Sequence, residues 1–192
     1  EHKMSGMGEL HLEIWKYRIE KTKGVEINAS EPIVVYRETV GKKSPEVEGK
    51  SPNKHNKFYM TVEPLEQVIC DSIKEGKMRQ GAIKKKEYSK ELQALGVDKK
   101  EAQGYSCIYG TNVLVNMVKG EVHIGEVIEM IMDAVEQVIN AGPLAREPCS
   151  NLLIRIKDLK LHEDAIHRGP AQMYPTIRAG IKGSIMTANP FI

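Results

Sequence analysis

Two histidines, two acids and an arginine share ten residues, LHEDAIHRGP, at positions 161–170. Such side chains can bind a metal, run acid–base chemistry or grip a polar partner. Zinc on a helix takes histidines four apart with a glutamate between them. His162 and His167 are five apart, on a stretch closed by Gly169 and Pro170, with no cysteine nearby to complete a set. A hydrolytic dyad, with either histidine as base and Asp164 as orienter, lacks a nucleophile in a strained elbow. No Gly-x-x-x-x-Gly-Lys-Ser/Thr loop occurs, so the chain has no cradle for nucleotide phosphates and should not hydrolyse one. The plainest account is a solvated polar loop between a strand and a helix. Among functional readings, a projecting turn that offers His167 and Arg168 for recognition fits best.

The elements that must position this turn follow from hydrophobic spacing. Before it, NLLIRIKDLKLH alternates Leu152, Ile154 and Ile156, then changes phase to Leu159 and Leu161, which predicts a strand with a bulge near Asp158. After it, Pro170 opens a helix carrying Met173, Ile177, Ile181 and Met186. HIGEVIEMIMDAVEQVINAGP is the clearest helix, with an apolar face of Ile124, Val127, Ile128, Ile131, Val135, Val138 and Ile139. His123 reads as its start, and its methionines read as core. FYMTVE and CIYGTNVLVNMV read as strands, PIVVYRETV as a third, and GKKSPEVEGKSPNKHNK as a long polar loop. Pro64 starts a helix with Leu65, Val68, Ile69 and Ile73 facing a core. The charged run from Met78 to Ser106 reads as two short surface helices, with IKKKEYSKE a solvated face. At the front, GELHLEIWKYRIEKTKG places Leu10, Ile14 and Tyr17 on one helical face, with His11 and Trp15 packing beside them and Gly24 as a stop. VEINAS reads as a short strand. Strands alternating with helices predict an α/β (α+β) two-layer sandwich.

With 192 residues, 41% hydrophobic and 28% charged, the chain can bury a real core. Its net charge of +2 makes no global polybasic field, so a nucleic-acid contact has to come from local patches. No apolar run spans a bilayer and no signal-peptide pattern appears, so no membrane partner is expected. Cys70, Cys107 and Cys149 are far apart and read as reduced, buried residues of a cytoplasmic protein. The opening lacks an initiator Met and the chain stops at TANPFI, so it reads as a piece of something larger.

LHEDAIHRGPAQ closely resembles the modified-histidine loop of the archaeal and eukaryotic translation elongation factor 2 family. SGMGELHLEIW resembles the last helix of that family's third domain, SEPIVVYRETV the start of its fourth, and SPNKHNKFYM a second loop at the fourth domain's tip. The closing helix and TANPFI resemble the exit toward a fifth. The resemblance runs collinearly through nearly the whole chain. It implies residues 1–30 as the final helix and strand of a ferredoxin-like third domain, 31–188 as the fourth domain, and 189–192 as the start of a linker. The fourth domain would have a βαβ-type fold similar to the second domain of a small-subunit ribosomal protein. HRGPAQ departs from the eukaryotic loop, which has further glycines in place of Pro170 and Ala171, and this favours an archaeal type. Bacterial elongation factor G lacks the modified histidine.

The resemblance implies a GTP-dependent ribosomal translocase whose fourth domain enters the small-subunit decoding region as tRNA and mRNA move. His167 would carry diphthamide and be the target of NAD-using, ADP-ribosylating toxins. Lys54, His55, Asn56, Lys57, His162, Asp164, Arg168 and Gly169 would form tip loops contacting RNA, with Lys54, Lys57 and Arg168 on phosphates. Diphthamide biosynthesis enzymes and toxins would be further partners of a cytoplasmic monomer. GTP and magnesium are expected on a domain outside this stretch, and no cofactor within it. A splicing or ribosome-assembly paralogue need not keep the histidine, and a stand-alone RNA-binding module would not begin in mid-domain.

Overall fold

A computed structural model describes residues 2–84, 86–120 and 123–192. Glu1, and Lys85 within the charged run, lie outside the described residues. The chain divides into two compact units, Glu1–Val35 and Tyr36–Ile192. The first holds helix α1 (Glu9–Lys23), ended by Gly24 in the left-handed conformation at φ 64°. None of its residues is buried. The Trp15 indole donates to His11 at 2.7 Å, so these two side chains pair with each other and pack no interior. Residues 25–30, expected as a strand, carry no strand assignment. Strand character needs a partner's backbone and a face to cover, and the described residues of this unit offer neither.

The second unit is built on a six-stranded sheet in the order β2-β3-β7-β6-β5-β4. Its strands are β2 (Val47–Lys50), β3 (Lys57–Pro64), β4 (Gly81–Ala82), β5 (Tyr105–Tyr109), β6 (Asn112–Asn116) and β7 (Leu152–Lys160). β6 and β7 run parallel and the other pairs antiparallel. A separate ribbon pairs β1 (Thr39–Val40) with β8 (Pro190–Phe191). One sheet face packs on α5 (Ile124–Asn140) and α6 (Pro170–Thr187). Phe58, Met60 and Val62 alternate toward it, as do Leu152, Ile154 and Ile156, and they meet Val127, Ile131, Val135, Met173, Ile177 and Ile181. The opposite face is smaller but also covered. There Val113, Val115 and Leu153 pack with Ile69, Ile73 and Leu92 of α2 (Gln67–Lys74) and α3 (Ser89–Ala94), beside α4 (Lys99–Ala102). No helix among the described residues is long and apolar enough to cross a membrane. All three cysteines are buried and unbridged.

The mixed α/β class, the two short helices and the long α5 stripe are as the sequence predicts. The bulge is too: Tyr59 pairs with Asp158 and Met60 with Ile156, leaving Lys157 as the extra residue. Several local expectations fail: Pro64 ends β3 and α2 begins only at Gln67, and Met186 at the end of α6 is exposed. The loop from Gly41 contains β2, whose residues mostly face solvent and so give no apolar signal. Val68 is 52% exposed. PIVVYRETV pairs only at its end, and Ile33, Val34 and Val35 are exposed. Glu38 in that segment is completely buried, and its carboxylate accepts the backbone N–H groups of Leu144, Ala145 and Glu147 at 2.8–3.1 Å. Gly142 is required beside it, because a Cβ there would lie 2.2 Å from the carboxylate.

Candidate functional site

The Lys57↔Lys160 pairing puts the β2–β3 loop and the segment after β7 at the same end of adjacent strands. Both are tightly built. In the first, Ser51 and Asn56 close a backbone pair at 3.0 Å, and the Ser51 carbonyl accepts the Lys54 N–H at 2.7 Å. Lys54 adopts φ 64°, an unusual conformation for a residue with a Cβ. The Asn53 side-chain oxygen accepts from the Ser51 hydroxyl and the His55 N–H. In the second, Asp164 caps a 3-10 turn over Ala165–Arg168 by accepting the Ile166 N–H at 3.1 Å. The Gly169 carbonyl then accepts the Gln172 and Met173 N–H groups as α6 begins at Pro170.

Asn56 stitches the two loops together. Its amide nitrogen donates to the His167 carbonyl at 2.7 Å and its oxygen accepts the His162 N–H at 3.0 Å. Asn53 adds a second seam, since its backbone N–H donates to the Gln172 side chain at 3.0 Å. Three imidazoles converge as a result. Ring centroids lie 4.4 Å apart for His162–His167, 4.8 Å for His55–His167 and 4.9 Å for His55–His162. His55 is exposed and the other two are half-buried. His162 Nδ1 accepts the Asp164 N–H at 3.1 Å, which leaves its proton on Nε2 in the neutral ring. Among the described residues no group of three or more His, Cys, Asp or Glu is arranged to hold a metal. Ile166 stands beside the cluster, 77% exposed.

Two of the residues expected to face outward do not. Arg168 is only 6% exposed; Nη1 donates to the His162 and Glu163 carbonyls and Nη2 pairs with Glu126 at 2.5 Å. Asn56 is completely buried. Neither side chain is free to make the outward RNA contact expected of it; both hold the loops' shape, because a tight polar turn needs interior partners for its own backbone. Lys57 stays at the surface but is engaged there: it pairs with Glu48 at 2.9 Å, which raises the lysine pKa and lowers the carboxylate's, and the Tyr59 hydroxyl donates to the same oxygen. Lys54 and His55 point to solvent, and Gly169 leads into α6. Asn53, Gln172 and Glu126 went unnoticed in sequence. Gln172 sits in the motif HRGPAQ, but nothing local marks Glu126, whose partner is 42 residues away.

The family of elongation factor G, domain IV, matches residues 78–189. The chain belongs to that family. It is similar to elongation factor 2 of Methanoregula boonei, 52% identical over 98% of this chain and 26% of that protein. Elongation factor 2 of Methanocaldococcus jannaschii is 50% identical over all of this chain and 27% of the relative. For the Pyrococcus horikoshii factor the identity is 47%, over the whole chain and 26% of the relative. The resemblance read from four collinear motifs is thus matched by identity along the full chain. This member of the elongation factor G domain IV family spans about a quarter of the length of those curated relatives.

Proposed function

We propose that this chain forms the RNA-facing end of a ribosomal translocase, with the three-histidine tip as its working surface. The observation that carries the reading is the convergence of His55, His162 and His167 from two loops joined through Asn56. A-form RNA presents a broad, shallow minor groove of hydroxyls and base edges, read by shape and polar contact more than by sequence. A small rigid cluster of ring N–H and N groups, with Lys54 beside it for phosphate, suits that surface in the decoding region of the small subunit. It makes no demand on sequence, as moving every tRNA and mRNA requires.

His167 is the proposed site of diphthamide and of ADP-ribosylation by NAD-using toxins. The modification adds a quaternary ammonium arm, a fixed positive charge reaching beyond the ring. Its half-buried ring, with the backbone carbonyl clamped by Asn56, leaves an edge open to a modifying enzyme while the main chain stays put. GTP hydrolysis and its magnesium belong to a nucleotide-binding domain of the whole protein, and the cytoplasm is the compartment.

Mass spectrometry of the protein from its native host tests the assignment: the peptide spanning His167 carries the diphthamide mass. An unmodified peptide there removes the modification from the proposal. In addition, His167→Ala abolishes NAD-dependent labelling by toxin and lowers ribosome affinity, with thermal stability nearly unchanged because the ring contributes little packing. A large fall in stability would instead make His167 a structural residue.

A further inference from the structure

The histidine turn is shaped by a residue outside both tip loops. Arg168 is a buried cation whose Nη1 holds two consecutive carbonyls of the turn, those of His162 and Glu163. Its Nε is buried without a hydrogen-bond partner among the described residues, so Nη1 and Nη2 alone hold the group. The turn's own acids do not neutralise it. Asp164 is spent on capping the 3-10 turn, Glu163 is exposed, and the ion pair of Arg168 among the described residues runs to Glu126 on the first turn of α5. The other oxygen of that carboxylate lies 3.1 Å from His123 Nδ1. A buried guanidinium that loses its carboxylate is an uncompensated charge, and water then competes for it. Water reaching Arg168 draws the guanidinium off the His162 and Glu163 carbonyls.

From this geometry we infer that Glu126 is a positioning residue for the histidine turn: through Arg168 it fixes the backbone that aims His162 and His167. The role deepens the RNA-facing reading and rests on it for its biological consequence, but the positioning itself is a property of the chain alone. Glu126 is separated by sequence from everything it controls. Its pKa is lowered, chiefly by the hydrogen bond from Arg168 and next by His123, which agrees with a carboxylate kept charged at this post.

Glu126→Gln in the whole chain tests it, since the amide keeps the size and removes the charge. Backbone amide exchange reads the outcome. The Asp164, Ile166 and His167 amides, which are bonded to His162 Nδ1, Asp164 Oδ1 and the Asp164 carbonyl, exchange roughly tenfold faster or more, as expected when a charge-assisted hydrogen bond is weakened locally. Ile154 and Ile156 in β7 exchange as before, and the ring signals of His162 and His167 shift. Unchanged exchange in the turn overturns the inference. Equal loosening of the turn and of β7 overturns it too, because that marks a merely structural contribution. Ribosome affinity measured on His167→Ala separates the two ideas: if that variant binds undiminished, the RNA-facing reading fails and the positioning role of Glu126 is untouched.

Discussion

Asn56 is fully buried and uses both ends of its amide across the gap between two loops. An alanine there leaves the His162 N–H and the His167 carbonyl without their main partner in a site water reaches poorly. The expected cost is about 2–4 kcal/mol in chemical denaturation, since each orphaned buried group forfeits its desolvation. Asn56→Asp keeps the acceptor for His162 but sets an anion against the His167 carbonyl, so it recovers little. Wild-type stability in both variants would mean that the loops associate without this stitch. Arg168 makes the same point. Its charge suggests an outward contact, whereas its burial and its bonds to two carbonyls assign it to the interior of the turn. The exposed chemistry is left to His55, Lys54 and the outer edges of His162 and His167.

α6 leads away from the histidine turn and crosses β2 so closely that the contact requires glycine. A Cβ on Gly49 would stand 2.4 Å from the Thr176 carbonyl, a backbone atom that cannot yield. A Cβ on Gly180 would stand 3.1 Å from Met60 Sδ, the far part of a flexible side chain. Gly49→Ala is therefore expected to cost about 3 kcal/mol or more, as overpacking against main chain does. Gly180→Ala should fall within about 1 kcal/mol of neutral, because helix propensity offsets the crowding. Equilibrium denaturation of the pair checks the ranking, and equal midpoints would refute it. α5 illustrates the other limit. Its stripe at Val127, Ile131, Val135 and Val138 can be read from the chain because a helix facing a core must repeat near 3.6 residues.

At the largest scale, the three buried thiols all lie in the Tyr36–Ile192 unit and serve as probes of its opening. Burial raises Cys107 and Cys149 to about 12 and shifts Cys70 upward as well. A folded-state pKa above the ordinary 9.0 favours the native chain fully below pH 9, and the advantage drains away as pH rises toward 12. Tyr109, raised by burial to about 12, acts in the same direction. The thiols should thus resist a soluble thiol reagent at pH 8, react together on unfolding, and accompany a melting temperature that falls above pH 9. Rapid labelling of Cys107 in native protein would contradict a covered sheet face.

By itself the amino-acid sequence determined the α/β class, α5 and α6, the β7 bulge and the motif around His167, because periodicity and short motifs are local properties of the chain. It misled at PIVVYRETV, where β-branched residues signal a strand but pairing depends on Pro190 and Phe191 at the far end. Only the tertiary structure decided that three imidazoles meet, that Asn56 and Arg168 turn inward, and that Glu126 braces the turn. Each of those outcomes needs a distant contact, such as Arg168 with Glu126 at 42 positions or Asn56 with His167 at 111, and no short-range pattern records which distant group a polar side chain will satisfy.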